Sequence, residues 1–424
     1  MGTRHDWLGK GIEALMATWS VPRRARPPEL PPPPPDTQEP DFDVLIVGSG
    51  YGGAIAASRF ARAHDEHGRK LKIAVLERGQ EYRPGDFPSR FSDVPGEVRF
   101  MRSGKSAVTG EALGMFDFHI NGKINVLTGN GLGGGSLINA GVAERVHDEV
   151  WNAPEWPKPL RKGKSTFSRY YLRAESMLRV ATMPVELWPA KTRQMQQLGK
   201  AIDAATGEEG DAPSFRPVNA AINYEHRKNA YGIEQQACQR CGDCFTGCNF
   251  NAKNTLATNY LPDARRFGAQ LYTGATVSFV EQLQSGGKSR WRLWFRLTDT
   301  LGAPGRQDAY WITARHVVLA AGALGSTEIL FRSQQHGLKL SPRLGRRFST
   351  NGDMIWAGYG QAKPVHSGTD EFVPYEKREV GPTITSMIDL RHTPVRGVIQ
   401  DAAVPGSLFR AYAELITTRS EEHV

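Results

Sequence analysis

Two short stretches of this 424-residue chain place chemically useful residue types at telling spacings. The first is Gly48-Ser49-Gly50-Tyr51-Gly52-Gly53, a G-x-G-x-x-G that follows an apolar run and opens an alanine-rich one. Such glycines permit a tight turn, let backbone N–H groups approach a pyrophosphate, and bring helix and strand close, while the positive end of the helix favours phosphate charge. Glu77 closes the next apolar run, 24 residues beyond Gly53, where a carboxylate can accept hydrogen bonds from a ribose diol. The competing reading, glycines serving a plain tight turn, weakens in that context.

The second stretch holds all four cysteines, Cys238, Cys241, Cys244 and Cys248, as C-x2-C-x2-C-x3-C. Clustering within eleven residues points to a ligand site rather than to the spread disulfides of a secreted domain. Three readings stay open. Thiolates at this spacing hold iron in bacterial ferredoxin runs, although Asn249 stands where those runs have proline. Zinc favours two separated knuckles around a tetrahedron. Metal-free thiols or a local disulfide are the third.

A further glycine-rich run, Gly129-Asn130-Gly131-Leu132-Gly133-Gly134-Gly135-Ser136-Leu137-Ile138-Asn139, suits close backbone approach to a large ligand, with N–H groups turned to phosphate or a flavin edge. The alternative is a flexible surface loop.

These loops need elements to hold them. FDVLIVGSG reads as a buried parallel strand, Ala54–Ala63 as a helix and Leu71–Gly79 as a second strand, so the region opens with a βαβ unit. HVVLAAGALGSTEILFRS repeats the pattern of strand, glycine turn and helix, after strand-like segments at Gln270–Gln284 and Trp291–Thr298. FSRYYLRAESMLRV and AKTRQMQQLGKAIDAAT carry apolar residues at helical spacing and are expected to cap a site. Residues 6 to 19 form a short amphipathic helix expected to pack on the body, followed by a stiff proline-rich spacer between Pro27 and Pro40. Together these predict an α/β protein with a doubly wound, Rossmann-like domain and an interrupted α+β substrate or cap domain.

The net charge of +9 is spread along the chain, so it singles out neither nucleic acid nor a membrane surface as partner. No run approaches the ~18 consecutive apolar residues of a membrane helix, and the start lacks the pattern of a signal peptide. A cytoplasmic protein with no integral membrane segment is expected.

VLIVGSGYGGAIAA, VLERG, TGNGLGGGSLINAG and VVLAAGALGSTEILFRS occur in the order seen in glucose-methanol-choline oxidoreductases, which the chain resembles. YYLRAESML, AKNTLATNYLPDA and LGRRFSTNGDM are similar to the cholesterol-oxidase-like branch, and the likeness runs from about Asp41 to Asp353. It implies FAD, covalent or not, and hydride transfer from an alcohol or sterol-like CH–OH group to the flavin. By position, Gly48, Ser49, Gly50, Tyr51, Gly52, Gly53 and Glu77 would hold the ADP half. Gly129, Gly133, Gly134, Gly135, Ser136 and Asn139 would line the pyrophosphate and flavin. Val277 would contact adenine through its backbone, Ala321 and Gly322 would approach from the other side, and Asn351 and Gly352 would lie near the flavin.

The resemblance also implies a catalytic histidine in a C-terminal segment that is not found here, since His366, His392 and His423 lack its strand-and-glycine setting. The chain is expected to be C-terminally truncated, with Asp401 as a weak catalytic candidate whose competing role is an ordinary turn carboxylate. The expected organisation begins with a helix and linker over 1–40. An FAD-binding domain follows in two segments, 41–150 and 237–352, the latter including the cysteine loop. A cap or substrate domain occupies 151–236 and resumes at 353–424. Besides alcohol oxidation, two functions stay open: a flavin and iron–sulfur electron-transfer subunit serving a partner, with a quinone or protein as acceptor, and a catalytically silent fragment.

Overall fold

The computed structural model describes residues 7–20, 23–25, 39–102, 108–161, 163–206, 213–285, 288–300, 308–358 and 362–420. The proline-rich spacer, up to residue 38, and His423 lie outside them. The chain divides into two compact units, Met1–Tyr82, Pro95–Leu137 and Leu256–Ala357 forming the first, and Arg83–Val94, Ile138–Thr255 and Gly358–Val424 the second.

The first unit is built on an eight-stranded sheet. Lys10–Gly11, Gln270–Thr273, Ile73–Leu76, Phe42–Val47 and Ala309–Leu319 run parallel in that spatial order. Lys288–Leu297 and Ala275–Ser285 then continue antiparallel, and Arg24–Ala25 pairs beside Ala309–Tyr310. Phe42–Val47 and Ile73–Leu76 are buried at every position, as a central strand covered on both faces demands. Helix Tyr51–Phe60 forms the expected βαβ crossover, and Gly322–Gln335 follows the strand Ala309–Leu319. The expected strand Gln270–Gln284 breaks at Gly274, whose φ is +76°. There the Gly274 and Ala275 amides turn to the carbonyls of Gly79 and Glu77, and the chain leaves the parallel layer for the hairpin.

The amphipathic helix is shorter than expected, Ile12–Met16, and belongs to the core: Ile12 and Leu15 are buried with Phe42, Leu45 and Phe295. Glu81 accepts the amides of Leu8 and Gly9, tying the entering chain down. No helix among the described residues is long and apolar enough to cross a membrane.

Asp43, at the start of the central strand, accepts hydrogen bonds from Arg69 and the Lys72 amide. The Arg69 bonds hold its carboxyl at about 2, against a usual 3.8. A lowered folded pKa contributes stability above the unfolded value that is lost as pH falls through the folded one. Asp43 is therefore expected to contribute up to ~2 kcal/mol at neutral pH, lost between about pH 4 and pH 2. Urea midpoints of Asp43→Asn should be lower than the parent's at pH 7 and converge on them near pH 2; a constant gap would refute this.

The unit also holds a four-stranded sheet, Val108–Gly110, Val98–Arg102, Phe116–Ile120 and Val126–Gly129, that the sequence pattern did not show. Its centre is a buried ion network. Asp117, fully buried, accepts from Arg78 (2.5 Å) and Arg99 (3.1 Å) and bonds His119 (3.2 Å); burial pushes its carboxyl up, but the His119 hydrogen bond first and the two arginine charges after it hold it well below the usual range.

In the second unit the expected helices form as Gly163–Leu178 and Ala190–Thr206, beside an antiparallel sheet of Phe215–Pro217, Ser386–Asp389 and Val398–Gln400. A Cβ on Gly199 would stand 2.6 Å from Phe215 Cβ, so this glycine permits the close approach of helix to sheet. The cysteine loop, expected with the FAD-binding domain, packs here instead. Its backbone bonds set the boundary: Cys238 N to Asn223 O, Asn254 N to Ala221 O, and Gly381 N to Arg240 O.

Candidate cofactor-binding site

Three loops converge at the carboxyl ends of the parallel strands in the first unit. Gly48 turns with φ +91°, and a Cβ there would lie 2.5 Å from the carbonyl oxygen of Ala320, so the first loop rests on the third. A Cβ on Gly134 would stand 2.9 Å from Gly50 Cα, and one on Gly79 2.4 Å from Gly131 N, so the second loop is pressed against the first and against the end of Ile73–Leu76. Side chains at these places would push the loops apart.

Ser49 is the knot between them. Its amide and hydroxyl both donate to one Glu77 carboxylate oxygen (3.0 and 2.6 Å), while Gly133 N donates to the Ser49 hydroxyl (2.9 Å). The other Glu77 oxygen accepts Gly79 N (3.0 Å). Glu77 thus braces the glycine loops, a role the sequence pattern did not reveal, and a carboxylate oxygen with one protein donor keeps a lone pair for a ribose hydroxyl. Arg78 extends the brace, donating to Asn130 and to Asp117. Ser136 is buried, donating to Gly133 O and accepting Leu256 N.

Elsewhere the loops face empty space. A Cβ on Gly50, Gly135 or Gly322 would meet no atom within 4 Å. Gly50 is also the N-cap of helix Tyr51–Phe60, and no side chain caps it. Backbone open at the end of a helix, beside a buried carboxylate, fits a pyrophosphate and ribose. Val277 is buried at a bulge two residues beyond Ala275, whose amide bonds Glu77 O.

Asn139 belongs to the second unit, where its carbonyl accepts from Lys253. Asn351 and Gly352 are exposed, with Asn351 donating to Asp353. His366 and His392 are exposed. Asp401 is neither a free base nor a turn carboxylate: buried, it pairs with the buried Lys191 and accepts the Thr385 hydroxyl and the amides of Thr385 and Ser386. Burial pushes the Asp401 carboxyl up, but Lys191 and these donors pull it further down, so it stays ionised.

In the second unit the four cysteines line one pocket with Asp243 and Lys253. Lys253 is buried, donates to the carbonyls of Cys244 (2.6 Å) and Asn139 (3.0 Å), and is held down to about 8 by desolvation. All four thiols are free, which removes the local disulfide. Among the described residues no three His, Cys, Asp or Glu side chains are grouped to hold a metal ion, so neither the zinc nor the iron–sulfur reading finds support.

A parallel sheet with a glycine turn, an open helix N-terminus and a buried acid after the second strand defines a dinucleotide-binding α/β protein. The chain belongs to the GMC oxidoreductase family, whose model matches residues 42–351. It is 29% identical to a cholesterol oxidase of Acinetobacter baumannii, over 74% of this chain and 55% of that one. A cholesterol oxidase of Mycobacterium tuberculosis matches at 29% over 75% of this chain and 52% of its own length. A long-chain-alcohol oxidase of Arabidopsis thaliana matches at 26%, covering 75% and 37%. The chain thus spans about half the length of the first two relatives.

Proposed function

We propose that this chain binds FAD in the cradle of its three glycine loops and serves the oxidation of a CH–OH group in a small alcohol or sterol-like molecule. The observation that carries the reading is the contrast among the glycines: those between loops are pressed on protein backbone, while Gly50 and Gly135 open on space a cofactor would fill. The names of the relatives supply the substrate class. FAD, when bound, supplies a two-electron hydride acceptor. The chain's own groups bind and orient: the amides opening helix Tyr51–Phe60 face the pyrophosphate, Glu77 accepts a ribose hydroxyl, and Ser49 keeps Glu77 and the second loop in register. No described residue is assigned as the general base.

Gly50→Val tests the cradle. Its side chain enters space that holds no protein atom, so the fold should persist while the ligand is displaced. The expected result is bound flavin below about a tenth of the parent's with Tm within ~2 °C. Full flavin occupancy in Gly50→Val would remove this loop from the site. Dye-coupled turnover with primary alcohols and 3β-hydroxysterols then separates the substrate classes. The cysteine pocket favours a second reading, an electron-transfer subunit passing electrons to a quinone or protein; a partner chain copurifying in fixed ratio would support it.

A further inference from the structure

Residues 7–19 lie outside the stretch matched by the family model, which begins at residue 42, and are nonetheless built into the first unit. Lys10–Gly11 pairs in parallel with Tyr272 and Thr273 and closes one edge of the eight-stranded sheet. Left open, that edge would present unpaired N–H and C=O groups. The helix Ile12–Met16 follows, anchored in the core by Ile12 and Leu15, and Trp19 meets the Phe295 ring edge-on with centroids 6.4 Å apart. Arg23 sits over the rings of Trp19 and Trp311 and pairs with Asp41, so the segment is held at its far end as well.

Its near end lies against the second glycine loop. Glu81 accepts the amides of Leu8 and Gly9, one on each carboxylate oxygen (2.9 and 2.8 Å), and a Cβ on Gly9 would stand 3.6 Å from Leu132 Cδ2. Leu132 is buried, and its amide donates to the carbonyl of Gln80, the residue beside Glu81 (2.8 Å). Two residues earlier in the same stretch, Gly79 is pressed on Gly131, and two before that stands Glu77. Five consecutive residues, 77–81, therefore carry the ribose acceptor, the seat of the glycine loop and the seat of the entering chain. Arg265 adds a bond to the Trp7 carbonyl (2.7 Å) and Thr273 one to that of Lys10.

The loop 129–135 holds five glycines in seven residues and has little stiffness of its own, so its shape is set by what it rests on. Its one apolar side chain, Leu132, is the one that meets the entering chain. We propose that residues 7–19 act as a strap that fixes the second glycine loop in the shape that holds the flavin, with Glu81 and Leu132 as positioning residues. The strap rests on the flavin reading of the cradle. By linkage its effect is reciprocal: a docked strap tightens flavin binding, and bound flavin holds the strap down by the same factor. Flavin retention thereby depends on a part of the chain outside the glycine loops.

The test uses the full chain, freed of flavin and titrated with FAD while backbone hydrogen exchange is followed. In the parent, FAD should slow exchange of the Leu8 and Gly9 amides at least about fivefold, the lower end of ordinary coupling. Glu81→Met, which removes both acceptors, should raise the FAD dissociation constant about tenfold; Glu81→Gln, which keeps one acceptor oxygen, should fall between it and the parent. Asp43→Asn weakens the same unit from the opposite end of the strand Phe42–Val47 and measures lost stability alone, so its FAD dissociation constant should stay within about twofold of the parent's. Equal exchange at Leu8 and Gly9 with and without bound FAD would overturn the proposal, as would parental affinity in Glu81→Met or an equal loss of affinity in Asp43→Asn. If Glu81→Met does not fold, the exchange measurement on the parent decides. A parent that binds no FAD removes the flavin reading and this inference with it, whereas a parent that binds FAD without slowing the strap amides removes this inference alone.

Discussion

Gly53→Ala is expected to dismantle the dinucleotide-binding unit, and not just to weaken cofactor affinity. A Cβ at Gly53 would stand 1.9 Å from the carbonyl oxygen of Gly48 and 2.9 Å from its carbon, both backbone atoms that no rotamer change can move. Relief requires pulling helix Tyr51–Phe60 away from the turn after Phe42–Val47, which would also part Ala54 and Ala57 from the core they are buried in. Strain and lost packing together place the change among the rare single substitutions that cost more than about 4 kcal/mol. The measurement is the unfolding midpoint of Gly53→Ala beside that of Gly50→Val. Wide separation, with only the first destabilised, is the expected outcome. Parental stability in Gly53→Ala would mean that helix and strand do not approach as closely as described.

Asp401→Ala carries the second large expectation. Lys191 and Asp401 are both buried and joined directly, pinning helix Ala190–Thr206 to the sheet through Thr385 and Ser386. Removing the carboxylate strands an ammonium in the interior and leaves the Ser386 amide without its acceptor, and breaking such a pair from one side costs about 3–5 kcal/mol. Replacing both partners, as Lys191→Met with Asp401→Leu, should recover most of that loss, because an apolar pair removes the unpaired charge as well as the attraction. Chemical denaturation of the two single variants and the double variant gives the coupling. If Asp401→Ala is as stable as the parent, the pair does not anchor the helix and a chemical role for Asp401 regains ground.

Much of the first unit was legible because its signals are local. Phe42–Val47 and Ile73–Leu76 are apolar throughout apart from Asp43, as doubly covered strands must be, and Gly48 and Gly53 mark a turn that only glycines can make. The sheet at Val98–Gly129 stayed hidden because its inward positions carry Arg99 and Asp117, which break the alternation of apolar and polar residues; the charges are tolerated only because Arg78 arrives from the Glu77 strand end. Nor could the pattern show that Glu77 braces Ser49, since that bond joins residues 28 apart. Likewise, the cysteine run was visible in the sequence by its spacing, but its placement in the second unit depended on partners at Asn223, Arg378 and Gly381.

By itself the sequence determined the parallel α/β core, the glycine loops and their order, and the gathering of four thiols in eleven residues, because each depends on periodicity or on backbone freedom encoded within a few residues. Tertiary structure decided which glycines are pressed on backbone and which open on a ligand's space, and that Asp401 is spent on Lys191. It also decided that the four cysteines line one pocket with Asp243 and Lys253. Those outcomes rest on contacts between distant segments, where close packing and the cost of burying an unpaired charge select the arrangement.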